Sequence, residues 1–223
     1  MTDVCLEQQV TKLTFAVLLI DDYSRTNPIG NVNVILKNRE EKAIKNLSQY
    51  YLFLDLKLPN GSYILQAKSD YYLDKDLEFA VDEGNIAVVE DNVKKPIDPK
   101  NPLILMYLKP DTSYPLLNEA TVIRGMLYDD SKNPIDGAII KVLGADMDIN
   151  TTTSEKGEFV LYFLPSIQKG IGINDKGCVE VNGNSKISLK VENIDKTIDL
   201  NEIKEFKTIS IQIIGGKLYE DVY

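Results

Sequence analysis

The sequence predicts an all-β chain folded as two tandem sandwich domains. Apolar residues recur at every second position in short runs, Gly, Pro and Asn signals separate those runs, and pairs of short anchors recur at one fixed offset.

Taken in order, the first run is residues 14–20, Thr-Phe-Ala-Val-Leu-Leu-Ile. Val32, Val34 and Leu36 follow on one face of a second strand. Residues 39–47 carry no helical stripe and read as a loop or a single turn. Tyr50, Leu52, Leu54, Leu56 and Leu58 share one face of an extended strand, expected to be the core face, while the other face turns polar at Asp55 and Lys57. Pro59-Asn60-Gly61 then predicts a tight hairpin into residues 62–67, because Asn-Gly supplies the positive φ angles such a turn demands. The polar stretch 81–100 is expected to be a long surface loop. Leu103, Leu105 and Tyr107 alternate again.

Pro110 and Pro115 block regular ladder pairing, so the boundary is placed there, giving domains at residues 1–112 and 116–223. Beyond it come a strand at 121–128, the alternating Ile187, Leu189 and Val191, and finally Ile209, Ile211 and Ile213.

Self-similarity supports two domains. Asn27-Pro28-Ile29 recurs as Asn133-Pro134-Ile135 and Leu58-Pro59 as Leu164-Pro165, both 106 residues later. At the same offset Ser48 meets Ser154, Phe53 meets Phe159, Val34 meets Ile140 and Leu36 meets Val142.

The second half carries residues 125–129 (Gly-Met-Leu-Tyr-Asp), 133–142 (Asn-Pro-Ile-Asp-Gly-Ala-Ile-Ile-Lys-Val) and 151–161 (Thr-Thr-Thr-Ser-Glu-Lys-Gly-Glu-Phe-Val-Leu). This pattern resembles the carboxypeptidase regulatory-like family over about forty residues. The resemblance implies an immunoglobulin-like, transthyretin-like (prealbumin-like) sandwich of seven strands, an accessory unit without activity of its own. Pro134 would preset the turn into a strand, Gly137 a conformation or approach that a side chain blocks, and Ala138 a narrow space between sheets. Gly157 would mark a hairpin that delivers Phe159 to the core. In the first half Pro28, Pro59 and Gly61 fall in similar surroundings, with Asn31-Val32 in place of Gly137-Ala138.

Composition excludes several functions. The apolar fraction of 43% and charged fraction of 26% are those of a folding chain. A net charge of −9, with 25 Lys and Arg scattered among acidic residues, repels a phosphate backbone and argues against nucleic acid. Histidine is absent, which removes the usual general base and the Ser/His and Cys/His pairs. Cys5 and Cys178 lie far apart; two free thiols are expected, with a single bridge as the alternative. The early apolar run lacks a basic start and is far too short to span a bilayer, which takes about 20 residues. Cytoplasmic synthesis, or an extracellular assembly released without classical secretion, is therefore expected.

No cofactor site is expected. Asp21-Asp22, Asp129-Asp130 and Asn174-Asp175 lie at strand ends, where carboxylates could gather Ca²⁺; turns also select Asp for backbone reasons. Asp129, Asp130 and Asp175 are the metal candidates on that ground. Paired carboxylates could cleave glycosides, but no Trp offers a sugar platform. Twelve Tyr could build a recognition patch. The strand at 208–214 has no charge or proline, so it should be central in its sheet or covered by another chain, with residues 217–223 joining that contact. On that reading, removing 217–223 weakens assembly and spares the melting temperature.

The expected function is a non-catalytic structural or interaction module, a subunit or accessory protein of a larger assembly such as a cell-surface layer or a phage-tail-like injection machine. Other protein subunits, copies of itself among them, are the expected partners; a carbohydrate- or peptide-binding module is the alternative.

Overall fold

The computed structural model describes residues 10–90, 92–117, 120–165 and 167–221. The chain is all-β and divides into two compact units, Met1–Leu108 and Lys109–Tyr223.

In the first unit the strands are β1 (Leu13–Asp21), β2 (Asn33–Leu36), β3 (Glu41–Lys42), β4 (Ile44–Lys45), β5 (Tyr50–Leu54), β6 (Gly61–Lys68), β7 (Lys75–Asp82), β8 (Asn85–Glu90), β9 (Val93–Pro96) and β10 (Leu103–Leu108). They form two sheets, ordered β10-β1-β5-β4 and β3-β2-β6-β7-β8-β9. Within the first, β1 runs antiparallel to β5 and parallel to β10. Aromatic rings join the sheets: Phe15 stacks on Phe53 at 4.6 Å and meets Phe79 of the opposite sheet at 5.3 Å. Offset and tilted rings at these spacings add to the apolar burial they bring.

Four expectations are corrected here. The core face of β5 is Tyr51 and Phe53, buried to 4% and 1% exposure, while Tyr50, Leu52 and Leu54 point outward. Both faces of this strand are apolar, so alternation cannot choose between them, and the inward face is the one whose Phe53 stacks on Phe15. The strand also stops at Leu54, because Asp55 turns left-handed at φ 52° and breaks the alternation before Leu56 and Leu58. Asn60-Gly61 does not close a hairpin: β5 and β6 belong to different sheets, so this turn carries the chain across the sandwich. Finally, most of the supposed loop at 81–100 is a meander in which β8 pairs with β7 and β9 with β8. Its Ile86 and Val88 are buried, a two-residue alternation hidden in a polar stretch.

The second unit contains β11 (Thr121–Tyr128), β12 (Ile139–Val142), β13 (Asn150–Thr152), β14 (Glu158–Phe163), β15 (Ile171–Ile173), β16 (Val179–Val181), β17 (Ile187–Val191), β18 (Lys196–Leu200), β19 (Thr208–Ile214) and β20 (Lys217–Asp221). Its sheets run β14-β11-β19-β20 and β13-β12-β17-β18, with β15-β16 as a separate ribbon. Ile123, Leu127, Phe159, Ile211 and Ile213 of one sheet meet Ile140, Val142, Leu189 and Ile198 of the other in one core. The strands on either side of the Gly157 turn, β13 and β14, again lie in different sheets rather than in a hairpin.

The two units share a wiring. In each, the first strand is flanked by an antiparallel middle strand (β5, β14) and a parallel late strand (β10, β19). In each, the second strand (β2, β12) pairs antiparallel with a strand (β6, β17) that then pairs antiparallel with the next (β7, β18). β2 and β12 have the same length and the same pattern of buried and open positions, and begin at Asn33 and Ile139. The units differ in β4 and the β8-β9 extension of the first and in β20 and the β15-β16 ribbon of the second.

The strand at 208–214 is β19, and it is central, between β11 and β20. Its second neighbour is the chain's own tail: after Gly215-Gly216, β20 folds back antiparallel from Ile214↔Lys217 to Ser210↔Asp221. Cys178 is a buried free thiol; Cys5 lies outside the described residues. No helix among them is long and apolar enough to cross a membrane.

Candidate interaction surface

Because β1, β5 and β10 send Phe15, Val17, Leu19, Tyr51, Phe53, Ile104, Met106 and Leu108 inward, the intervening residues make the outer face of the sheet. Those residues are Ala16, Leu18 and Ile20 on β1, Tyr50, Leu52 and Leu54 on β5, and Leu103, Leu105 and Tyr107 on β10. None is charged. The register sets them in rows: Ile44, Leu52, Ala16 and Leu103 in one, Tyr50, Leu18 and Leu105 in the next, then Ile20 and Tyr107. Ile44 is 59% exposed, Leu105 47% and Tyr107 45%. A contiguous apolar sheet face of this kind marks an interaction site more often than isolated surface leucines do.

A polar cluster borders the face. Asp21 is fully buried at the end of β1; its Oδ1 accepts from the backbone N–H of Tyr23 at 2.8 Å and its Oδ2 from the Tyr72 hydroxyl at 2.9 Å. The Tyr72 oxygen in turn accepts from Ile29 N–H at 2.9 Å, which places Pro28 in the loop between β1 and β2. Arg25 of that loop pairs with Asp22 at 2.9 Å and lies 5.7 Å from the centre of the Tyr107 ring. This loop therefore frames the face at Tyr107.

In the corresponding sheet of the second unit the β11–β14 half of the outer face is covered, while Thr208, Ser210 and Tyr219 of the β19–β20 half are exposed. Arg124, on the outer side of β11, donates to the carbonyls of Thr112 at 2.8 Å and Tyr114 at 3.5 Å. The proline-bounded segment that precedes β11 is held there, and outward Val122, Val160 and Tyr162 are buried along with Tyr114.

The residues singled out in the sequence are placed as follows. The Pro59 carbonyl accepts from the Tyr63 hydroxyl at 2.9 Å, and Gly61 opens β6. Pro134 bridges Tyr128. Gly137 adopts φ +66° with open space around it, so conformation rather than crowding selects it. Ala138 is fully buried between the sheets. Gly157 combines φ +75° with close approach: a Cβ there would lie 2.5 Å from the Leu127 carbonyl oxygen. Phe159 is buried, and Pro165 lies in the turn after β14.

The calcium candidates are not brought together. Asp129 Oδ1 accepts from the N–H groups of Ser131 and Asn133, both at 2.8 Å, and Oδ2 from Asn133 Nδ2 at 3.0 Å. Asp130 packs against Gly215, and Asp175 is exposed in a separate turn. Among the described residues no group of three or more acidic or Cys side chains could hold a metal ion. Millimolar Ca²⁺ against chelator is accordingly expected to leave the melting curve unchanged; a native-state ligand at a hundredfold excess over Kd would add about 2.7 kcal/mol.

Hydrogen bonds to exposed carboxyls also bear on the response to acid. Asn133 holds the Asp129 carboxyl below its ordinary range, Lys190 does so for Asp195, and Lys186 with Ser188 for Asp199. A depressed folded-state value gives stability that is complete above the unfolded value, near 3.9, and is lost as pH falls through the lower folded value. Calorimetry is expected to show no decline in melting temperature from these groups between pH 8 and 5, and a decline below about pH 4.

No known family model and no curated protein matches the sequence. Among solved structures the chain is similar to the Bacillus anthracis TIE protein, at 15% identity over 84% of this chain and a TM-score of 0.29; it spans 32% of that protein's length. It is similar to a Streptococcal ancillary pilin at 12% identity over 92% of this chain and 68% of that one, TM-score 0.30. A third is the C-terminal fragment of the pilus adhesin SpaC from Lactobacillus rhamnosus GG, at 12% identity over 90% of this chain and 96% of the fragment, TM-score 0.26.

Proposed function

We propose that the chain is a non-catalytic interaction module, a subunit or accessory protein of a larger assembly such as a surface layer or a tail-like injection machine. The observation that carries this reading is the uncharged outer face of the β10-β1-β5-β4 sheet, with Leu105 and Tyr107 open on it. Keeping such a face in water is unfavourable by roughly 25 cal/mol for each Å² of apolar area a partner would cover. The lack of histidine is consistent with it. The shared wiring and the matching β2 and β12 support a second part of the proposal, that the units are a tandem pair of related, transthyretin-like domains. On this reading Pro28, Pro59, Pro134, Gly137, Gly157 and Pro165 are folding residues.

The test is a double substitution at the centre of the face, Leu18→Lys with Leu52→Lys, in the source cells. Circular dichroism should report an unchanged fold, and the complexes that co-purify with the unaltered chain should be lost. Recovery of the same complexes with the double variant would overturn the reading.

A further inference from the structure

Edge strands expose unpaired N–H and C=O groups, and natural sheets guard them with charge, proline, shortness or a cover. Nearly every edge here is guarded. β3 and β4 are two residues long and carry Glu41, Lys42 and Lys45; β9 holds Lys94, Lys95 and Pro96; β13 is three polar residues; β18 and β20 are charged within the strand. β14 begins with Glu158, and Gln168 Nε2 donates to its Tyr162 carbonyl at 3.3 Å. β15, Ile-Gly-Ile, is uncharged but only three residues long, and among the longer edges β10 is the exception: Leu103-Ile104-Leu105-Met106-Tyr107-Leu108 has no charge and no proline, and no described strand pairs with its outer edge.

Its backbone and side chains agree on which residues face a newcomer. The carbonyls of Pro102 and Leu108 are bonded to Ala16 and Asp22 at the two ends of β1, so the even-numbered positions of β10 turn toward β1. In a parallel ladder both polar groups of a residue point the same way and neighbours alternate. Leu105 and Tyr107 therefore direct N–H and C=O to the open side, and they are also the residues whose side chains are exposed on the outer face.

The second unit shows what such an edge takes. β19 holds the same place as β10, parallel to the first strand at the side away from the middle strand, and its outer edge is closed by antiparallel β20. There Leu218 packs against the core cluster while the next residue, Tyr219, is exposed on the other side.

We propose that the outer edge of β10 is a strand-addition site for another polypeptide. The occupant is an extended, proline-free segment of five or six residues that pairs antiparallel with β10 as β20 pairs with β19 and lays its outward side chains beside Leu105 and Tyr107. The inference rests on the interaction-module reading and names the kind of partner.

The probe is a synthetic peptide with the sequence of residues 217–223, Lys-Leu-Tyr-Glu-Asp-Val-Tyr, titrated into the isotope-labelled full-length chain. The amides of Leu105 and Tyr107 should shift and become at least tenfold slower to exchange, and Leu105→Lys, which adds a guarding charge on an exposed position, should weaken binding at least tenfold. Three results would overturn the proposal: Leu105 and Tyr107 amides already protected in the free chain, no response at these amides up to millimolar peptide, or concentration-dependent pairing of β10 with a second copy. These failures are distinct from failure of the broader reading. If the peptide does not bind but Leu18→Lys with Leu52→Lys still abolishes the complexes, the face is used without its edge.

Discussion

Phe53→Ala is expected to cost about 3–5 kcal/mol, the range for emptying an aromatic site in a packed core. Leu52→Ala, one residue away, should cost about 1 kcal/mol or less, since only part of that side chain leaves water. Phe53 stacks on Phe15, which meets Phe79 across the sandwich, so its removal opens a void at the centre of the first unit. Thermal unfolding followed by near-ultraviolet dichroism should show a fall on the order of 10–20 °C for Phe53→Ala and a few degrees for Leu52→Ala. Equal losses at the two positions would mean that the face bearing Leu52 is a core face after all.

The second large effect is expected from ending the chain after Gly216. This removes β20, with five paired positions along β19 and the contact that Leu218 makes with the core. At about 0.5–1.5 kcal/mol net for each of about five ladder hydrogen bonds, the second unit should lose roughly 2.5–7.5 kcal/mol. It should also aggregate as concentration rises, because β19 carries seven uncharged residues to a bare edge. The sequence alone suggested a tail that serves assembly and leaves melting intact. The fold reverses this, since the tail is itself a strand of the sheet. Light scattering and a melting curve on the truncated chain decide the point, and an unchanged melting temperature would mean that β20 contributes nothing to the fold.

Strand existence was largely legible, because alternation and turn residues act locally. What could not be read was which of two apolar faces goes inward. In β5 and β10 both faces are apolar, and the choice is made by sheets that meet through Phe15, Phe53 and Phe79 from distant parts of the chain. The candidate surface was missed for the same reason: Leu52, Leu105 and Tyr107 look like core residues until the opposite sheet is in place. Asn60-Gly61 misled similarly, since a turn signal specifies a reversal of the chain and not the sheet that receives the next strand. At Asp129 both carboxylate oxygens serve Ser131 and Asn133, the backbone role for which turns select Asp.

The parallel placement of first and late strands governs how each unit responds to mechanical load. Pulling the first unit between Leu13 and Leu108 draws β1 and β10 past one another lengthwise, so the ladder from Ala16↔Leu103 to Asp21↔Leu108 is loaded in shear, with all its bonds strained together. In the second unit, tension on the C-terminus reaches β20 first, and an antiparallel strand joined by a two-residue turn peels one bond at a time. Under a steady pull from both ends, the tail should unzip at low force and the β1–β10 clamp should hold until much higher force.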